Sequence, residues 1–204
     1  YAKAKPVFID IQADGNINLD QCEKEIQKNP NIKAIYAVHF SGNPVNQDKL
    51  RNLISKYNIK ILEDCAHSLG ASYQMTNGVT VKAGSCQYSD LSIFSFHPVK
   101  HITTGEGGAI TTNSEEDYRK LLTLRNNGMI RDPEKFTLKN QAFDKEQRAN
   151  PWYYEMHELG FNYRISDFQC ALGMSQLTKL DRFVQRRREI AETYDQAFKN
   201  HRRL

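Results

Sequence analysis

The stretch "KAIYAVHFSGNPVNQDKLRNLISKYNIKILED", residues 33–64, decides the fold. It opens on a run that is apolar on both faces, "KAIYAVHF" (33–40), and closes on a second, "IKIL" (59–62). Between them Leu50, Leu53, Ile54 and Tyr57 recur at helical spacing. Strand, helix and strand in that order predict a βαβ crossover, which lays the two strands parallel and packs the helix on the sheet. Outward from this unit the same alternation continues. "PVFIDI" (6–11) reads as a strand and "LDQCEKEIQ" (19–27) as a short helix; downstream, "LSIFSF" (91–96) and "GAITT" (108–112) read as strands. The expectation is an α/β fold with a mostly parallel sheet between flanking helices, a three-layer αβα arrangement.

The remaining segments are less regular. After residue 64 the chain carries Gly70, Gly78 and Gly84 in polar surroundings. A helix is predicted from about Glu115 to Arg125. Ser114 can cap its free amides, and Glu115, Glu116 and Asp117 suit its positive end. Asn126 to His157 is polar, with two prolines and the knot "PWYYE", and reads as one long loop. Two consecutive helices follow, over 166–180 and 182–198.

Composition narrows the function classes. At 204 residues the chain can bury a real core, and a formal net charge of +4 is mild. Much of the basic excess lies in "RFVQRRREIAETYDQAFKNHRRL", where arginines alternate with acids as on a solvated helix face, so no nucleic-acid partner is expected. No apolar run approaches membrane-spanning length, and no signal peptide opens the chain. Cys22, Cys65, Cys86 and Cys170 lie far apart with no CxxC pair, which argues for reduced thiols in a cytoplasm rather than a disulfide framework or structural zinc. Because the sequence enters a strand pattern at once without an initiator methionine, it is expected to begin inside a longer protein.

The chemistry concentrates in "FHPVKHITTGEGGAI", residues 96–110. His97 and His101 stand four apart, but Pro98 and the glycines oppose a helix there. No set of four metal ligands assembles, so local hydrogen bonding is the favoured reading of these histidines. "TTGEGG" lacks the order of a nucleotide-hydrolysing phosphate loop and fits a tight turn opening the next strand, or a clearing beside a reactive group. Lys100 has company that most lysines lack: Asp64 at an earlier strand end and Ser95 five residues upstream. Pyridoxal phosphate needs such partners, a lysine for its aldehyde, a carboxylate for its ring nitrogen and hydroxyl donors for its phosphate.

Three stretches carry a resemblance: "EDCAHSLGASY", "SFHPVKHITTGEGGAITTN" and "GFNYRISDFQCALG". In this order they resemble the successive signatures of the sugar aminotransferase family among fold type I pyridoxal-phosphate enzymes, and the likeness extends over essentially the whole chain. "KAGSCQYSDLSIFSFHPVKHITTGEGG" and "PWYYEMHELGFNYRISD" are most similar to the branch acting in pseudaminic acid biosynthesis.

The resemblance implies roles residue by residue. Lys100 would form the Schiff base and shuttle the proton, Asp64 would pair with the pyridinium nitrogen, and Ser95 would bind the phosphate. His67 would lie near the ring and its phenolic oxygen. Asn162 would reach the phosphate of a neighbouring subunit's cofactor, which implies a homodimer with shared active sites. Tyr163 and Arg164 match the motif, with interface packing as their default role. Trp152, Tyr153 and Tyr154 would border the sugar-nucleotide entrance or anchor a loop. Residues 1–181 would belong to the large cofactor-binding domain, and 182–204 would begin the helix leading to a smaller C-terminal domain. The implied reaction moves an amino group from L-glutamate to C4 of a UDP-linked 4-keto-6-deoxy-N-acetylhexosamine, feeding glycosylation of flagellin or surface polysaccharide. Two alternatives stand beside it: transfer to another nucleotide-linked 4-keto sugar, and a non-catalytic fragment or sugar-nucleotide binding or assembly module that retains the fold. A related branch that deoxygenates sugars has histidine at the lysine position, so Lys100 favours transamination.

Overall fold

The computed structural model describes residues 3–201 and divides into two compact units. The first runs to Asn113 and resumes at Asp167; the second is Ser114–Ser166. In chain order the first unit holds α1 (Leu19–Lys28), β1 (Ala34–Val38), α2 (Gln47–Lys56), β2 (Lys60–Asp64), β3 (Ser72–Gln74), β4 (Thr80–Lys82), β5 (Leu91–Ser95) and β6 (Gly108–Thr111). The second holds α3 (Glu115–Leu124), β7 (Met129–Ile130), α4 (Lys139–Ala142) and β8 (Glu155–Met156). The first unit then closes with α5 (Asp167–Leu177) and α6 (Leu180–Phe198). Among the described residues no helix is long and apolar enough to cross a membrane.

The predicted βαβ unit is present. The Asn18 side chain accepts from the amides of Asp20 and Gln21 to start α1, and Asn46 accepts from Lys49 to start α2. Each helix carries an aspartate in its first turn and a lysine in its last, matching the helix dipole. Their apolar stripes, Leu19, Cys22 and Ile26 on α1 and Leu50 and Leu53 on α2, pack on Ile35, Ala37 and Ile61 of the sheet. That sheet has four strands in the order β1-β2-β5-β6. The pairs β1–β2 and β2–β5 are parallel, and β5–β6 is antiparallel. The reversal follows from the connection: the chain returns from β5 to β6 through residues 96–107 without a helix, so no crossover sets β6 parallel.

Strand alternation gives the sheet two unlike faces. Ile35, Ala37, Ile61, Glu63, Ser92 and Phe94 point into the buried side. Tyr36 and Val38, on the other side, are 51% and 37% exposed. The buried side includes a carboxylate. Glu63 accepts from Gln47 Nε2 at 2.7 Å, from Ser89 Oγ at 2.7 Å and from Ser92 Oγ at 3.1 Å. His39 Nε2 stands 3.3 Å from the same carboxylate, short of hydrogen-bond geometry, while its Nδ1 accepts the Val45 amide.

Several expectations are corrected. "PVFIDI" forms no strand: Val7 and Phe8 are exposed, and only Ile11 makes an isolated bridge, to Ile17. Its end instead turns back on itself, with Asn18 N–H donating to the Asp10 carbonyl and Gln12 N–H to the Asn16 carbonyl. An apolar run becomes a strand only beside a partner edge, and among the described residues this run has none. The irregular stretch after residue 64 contains the hairpin β3–β4, too short to show a period.

The predicted loop 126–157 is also more than a loop. Phe136 and Tyr153 meet edge to face with centroids 4.9 Å apart, over buried Ala142. The Glu155 carboxylate accepts from the amides of Thr137 and Leu138, the Thr137 hydroxyl and the Tyr153 hydroxyl, and meets His157 Nε2 at 2.6 Å. A polar sequence is organised here by one acceptor, which hydrophobic periodicity does not report. The helix before it starts as predicted, with Ser114 Oγ accepting the Asp117 amide.

Burial raises the pKa of Glu63, but His39 and the Ser89 hydroxyl outweigh it and hold the group at about 2, against an ordinary 4.5. Its folded pKa is the lower one, so its contribution is complete above about pH 4.5 and fades as pH falls toward 2. Urea unfolding followed down that range is expected to lose on the order of 3 kcal/mol from this group. Glu63→Gln should be less stable at neutral pH and should lack that acid-dependent component.

Candidate active site

The carboxyl edge of the parallel strands holds Asp64 and Ser95, two of the residues singled out by sequence. Asp64 ends β2 and pairs in register with Ile93 of β5, and Ser95 lies two residues beyond Ile93. Asp64, Ile93 and Ser95 therefore share the sheet face opposite Glu63. The Asp64 carboxylate is already oriented: Oδ1 accepts the Ala66 amide at 2.9 Å, and Oδ2 accepts the Tyr36 hydroxyl at 2.9 Å. Each carboxylate oxygen retains acceptor capacity for one further donor.

Beyond β5 the chain makes a loop closed at its neck. Phe96 N–H donates to the Gly107 carbonyl, and the Phe96 carbonyl accepts from the Thr104 amide and the Thr103 hydroxyl. Ile102 and Thr104 are buried beneath it. Lys100 sits in this loop, half-buried. Its amide donates to the His97 carbonyl, and its own carbonyl accepts from Arg187 Nη2 of α6 at 3.3 Å. Gln169 of α5 braces the far side by donating to the Glu106 carbonyl at 2.6 Å. The backbone around Lys100 is thus tied, while its ammonium makes no hydrogen bond or ion pair among the described residues.

His67 lies exposed in the turn after β2, with its carbonyl 2.8 Å from where a side chain on Gly42 would begin. Burial, then the charges of Arg187, His67 and Lys100, hold His101 below its ordinary 6.5. His97 behaves as a local partner, its Nδ1 accepting the Val99 amide and its Nε2 3.9 Å from Glu106 at the surface. The glycines shape the turn: Gly105 has φ +81°, and Gly108 opens β6 where the chain passes against the Phe94 carbonyl. His39, Glu63 and Cys65 lie close enough to share a cation, and the Glu63 oxygens already accept from Gln47, Ser89 and Ser92.

Asn162 belongs to the second unit. Its backbone bridges Asn126, flanked by bonds from Asn127 N–H to the Phe161 carbonyl and from Tyr163 N–H to the Arg125 carbonyl. Arg164 donates to Asn126 Oδ1 at 2.8 Å, and Tyr163 stacks on Phe161. Trp152 and Tyr154 are exposed, whereas Tyr153 is buried against Phe136 and anchors its loop. Sequence reasoning missed Tyr36 and Arg187. Alternation assigns Tyr36 a face, but only the strand register, Val38 opposite Asp64, shows which carboxylate it serves.

An open α/β sheet with a carboxylate, a hydroxyl and a loop lysine at its carboxyl edge defines a class of cofactor-binding fold. The chain belongs to the DegT/DnrJ/EryC1/StrS aminotransferase family, whose model matches residues 1–204. It is 44% identical over 202 residues to the UDP-4-amino-4,6-dideoxy-N-acetyl-beta-L-altrosamine transaminase of Campylobacter jejuni, an alignment covering 98% of this chain and 47% of that protein. Among solved structures it is similar to the Helicobacter pylori aminotransferase PseC, involved in the biosynthesis of pseudoaminic acid (TM-score 0.80, 35% identity, 97% of this chain and 46% of that one). A Streptococcus pneumoniae protein assigned as a sugar aminotransferase and solved in its PLP form gives a TM-score of 0.75 at 28% identity, over 98% of this chain and 49% of that one. The chain spans about half the length of the relatives it matches.

A side chain at position 108 would begin 2.6 Å from the Phe94 carbonyl, a backbone atom that cannot swing aside. Gly108→Ala is therefore expected to loosen the β5–β6 ladder and the neck of the Lys100 loop. Hydrogen exchange at the Phe96 and Thr104 amides should accelerate by about tenfold or more, equivalent to roughly 1.4 kcal/mol of lost protection.

Proposed function

We propose that the protein is a pyridoxal-phosphate-dependent aminotransferase that moves an amino group from L-glutamate to C4 of a UDP-linked 4-keto-6-deoxy-N-acetylhexosamine, in pseudaminic acid biosynthesis. One observation carries the reading. Asp64 and Ser95 share one face of neighbouring strands, and the loop that follows carries Lys100 with a tied backbone and an ammonium that has no hydrogen bond or ion pair among the described residues. These groups fit the cofactor: an ionisable carboxylate with spare acceptor capacity, a hydroxyl free to donate, and an amine. Family membership and the named transaminase relatives support the same class and acceptor.

The cofactor, when bound, supplies an electron sink next to the substrate carbon. The chain's own residues do the rest. Asp64 would accept the ring N–H and favour the protonated form of that nitrogen. Ser95 would donate its hydroxyl to the phosphate; among the described residues its Oγ is engaged only by the His97 amide, at 3.4 Å. Lys100 would hold the cofactor through Nζ and serve as the base that moves a proton at the substrate carbon. His67 lies in the turn after β2 and would border the ring. In balance, glutamate and the 4-keto sugar give 2-oxoglutarate and the 4-amino sugar.

In this reading Asn162 serves the phosphate of a partner subunit's cofactor, making the enzyme a homodimer, and the bridge to Asn126 fixes its backbone. Residues 1–181 form part of the large domain, and 182–204 lead toward a smaller one; residues 1–2 and 202–204 of that assignment lie outside those described. The buried thiols of Cys22, Cys65 and Cys86 and the absence of a membrane-length helix among the described residues support a cytoplasmic enzyme. Its amino sugar would serve flagellin or surface polysaccharide glycosylation.

The complete gene product is expected to show a visible absorbance band with pyridoxal phosphate that borohydride bleaches and Lys100→Ala abolishes. Asp64→Asn should lower turnover by about a hundredfold or more, two decades being roughly 2.7 kcal/mol of barrier. Amino transfer from glutamate, assayed against UDP- and dTDP-linked 4-keto sugars, should favour the UDP compound. Activity on dTDP sugars alone would reject the pseudaminic assignment, and a cofactor-saturated protein with no band would favour a binding module.

A further inference from the structure

Tyr36 has a place that the reaction scheme leaves unused. In the parallel register of β1 and β2, Val38 stands opposite Asp64 and Tyr36 opposite Leu62. Tyr36 is therefore a diagonal neighbour of Asp64 on the same face, a separation that a long aromatic side chain spans. Its hydroxyl donates to Asp64 Oδ2 at 2.9 Å. The approach comes from two residues back along the sheet, away from the carboxyl edge where Ser95 and the Lys100 loop lie. On the other oxygen, Oδ1 accepts the Ala66 amide. The carboxylate is gripped on both oxygens, from the sheet side and from the following turn, with its remaining lone pairs left for a ligand.

We propose that Tyr36 is a positioning residue for the cofactor: its hydroxyl fixes the rotation of the Asp64 carboxylate so that the group is preset to receive the pyridine N–H. The inference rests on the aminotransferase reading given above. A carboxylate at a strand end rotates about two side-chain bonds, and holding it in place before the ligand arrives removes that ordering cost from binding. The phenol suits the task. Burial, then the hydrogen bond and charge of Asp64, push its pKa up to about 12, so it remains a donor across the working range of pH. The ring is half-exposed, so the hydroxyl can be removed as Tyr36→Phe without opening a cavity in the core.

The test uses the complete gene product. Pyridoxal phosphate affinity is measured by titration, and the visible circular dichroism of the saturated protein reports how firmly the ring is held. Tyr36→Phe is expected to weaken cofactor affinity by about three- to tenfold, the net range of an ordinary intramolecular hydrogen bond, and to reduce the visible dichroism at saturation. The apo protein's melting temperature should stay unchanged. In the Asp64→Asn background the same change should cost nothing further, because the hydroxyl acts only through that carboxylate. Unchanged affinity and dichroism in Tyr36→Phe would overturn the proposal, as would an equal loss in both backgrounds. If wild type shows no bound cofactor, the aminotransferase reading falls and takes this inference with it. A wild type whose band is lost with Lys100→Ala, beside an unaltered Tyr36→Phe, would remove the Tyr36 role alone.

Discussion

The first unit is built around a buried negative charge. A carboxylate removed from water is costly unless it is hydrogen-bonded, and Glu63 meets that demand with donors from two separate pieces of chain. Gln47 comes from the first turn of α2 and Ser89 and Ser92 from β5 and its approach, while His39, just past β1, stands 3.3 Å away. None of these elements can shift without leaving either the acid or a donor unpaired. The hydrophobic contacts of α1 and α2 supply the burial, but they are nondirectional. The Glu63 cluster ties α2, β2 and β5 together, with His39 packed against the same carboxylate.

That register has a direct consequence for chemistry. Successive strand residues point to opposite faces, so anchoring Glu63 downward commits Asp64 upward. The His39 backbone adds to this by donating its amide to the Asp64 carbonyl. Two adjacent acids thus divide the work. One is sealed among donors and stabilises the sheet; the other ends the strand with its oxygens lightly held by Tyr36 and Ala66. Exchanging their surroundings by a one-residue slip would bury Asp64 and expose Glu63.

How much of this was legible depends on the kind of signal. The βαβ unit and its helices were readable because Leu50, Leu53, Ile54 and Tyr57 follow one period and the flanking runs another. The helix beginning at Ser114 was readable from its cap. "PVFIDI" misled because strand propensity says nothing of whether a partner edge exists. The stretch 126–157 misled for the opposite reason: its order comes from Glu155 gathering amides from Thr137 and Leu138, contacts that are distant in sequence and carry no periodicity. In the candidate site, Lys100, Asp64 and Ser95 were singled out as residue types at strand exits, whereas Tyr36 and Arg187 depend on register and helix placement. Those are properties of the folded chain.

The Lys100 loop shows why a glycine-rich sequence there need not mean flexibility. Gly105 and Gly108 let the chain turn and pass against β5, after which Phe96 closes the neck with bonds to Gly107 and Thr104. Arg187 and Gln169, from two different helices, then hold the loop by its carbonyls rather than by its side chains. Lys100 itself is held through its amide and carbonyl, and among the described residues its ammonium makes no hydrogen bond or ion pair. In the proposed reaction, an amine that first anchors a ligand and then moves a proton would use this separation of a tied backbone from a free Nζ. A salt bridge to Lys100 would have stabilised the loop at the expense of that mobility, and the loop's anchors provide the order without it.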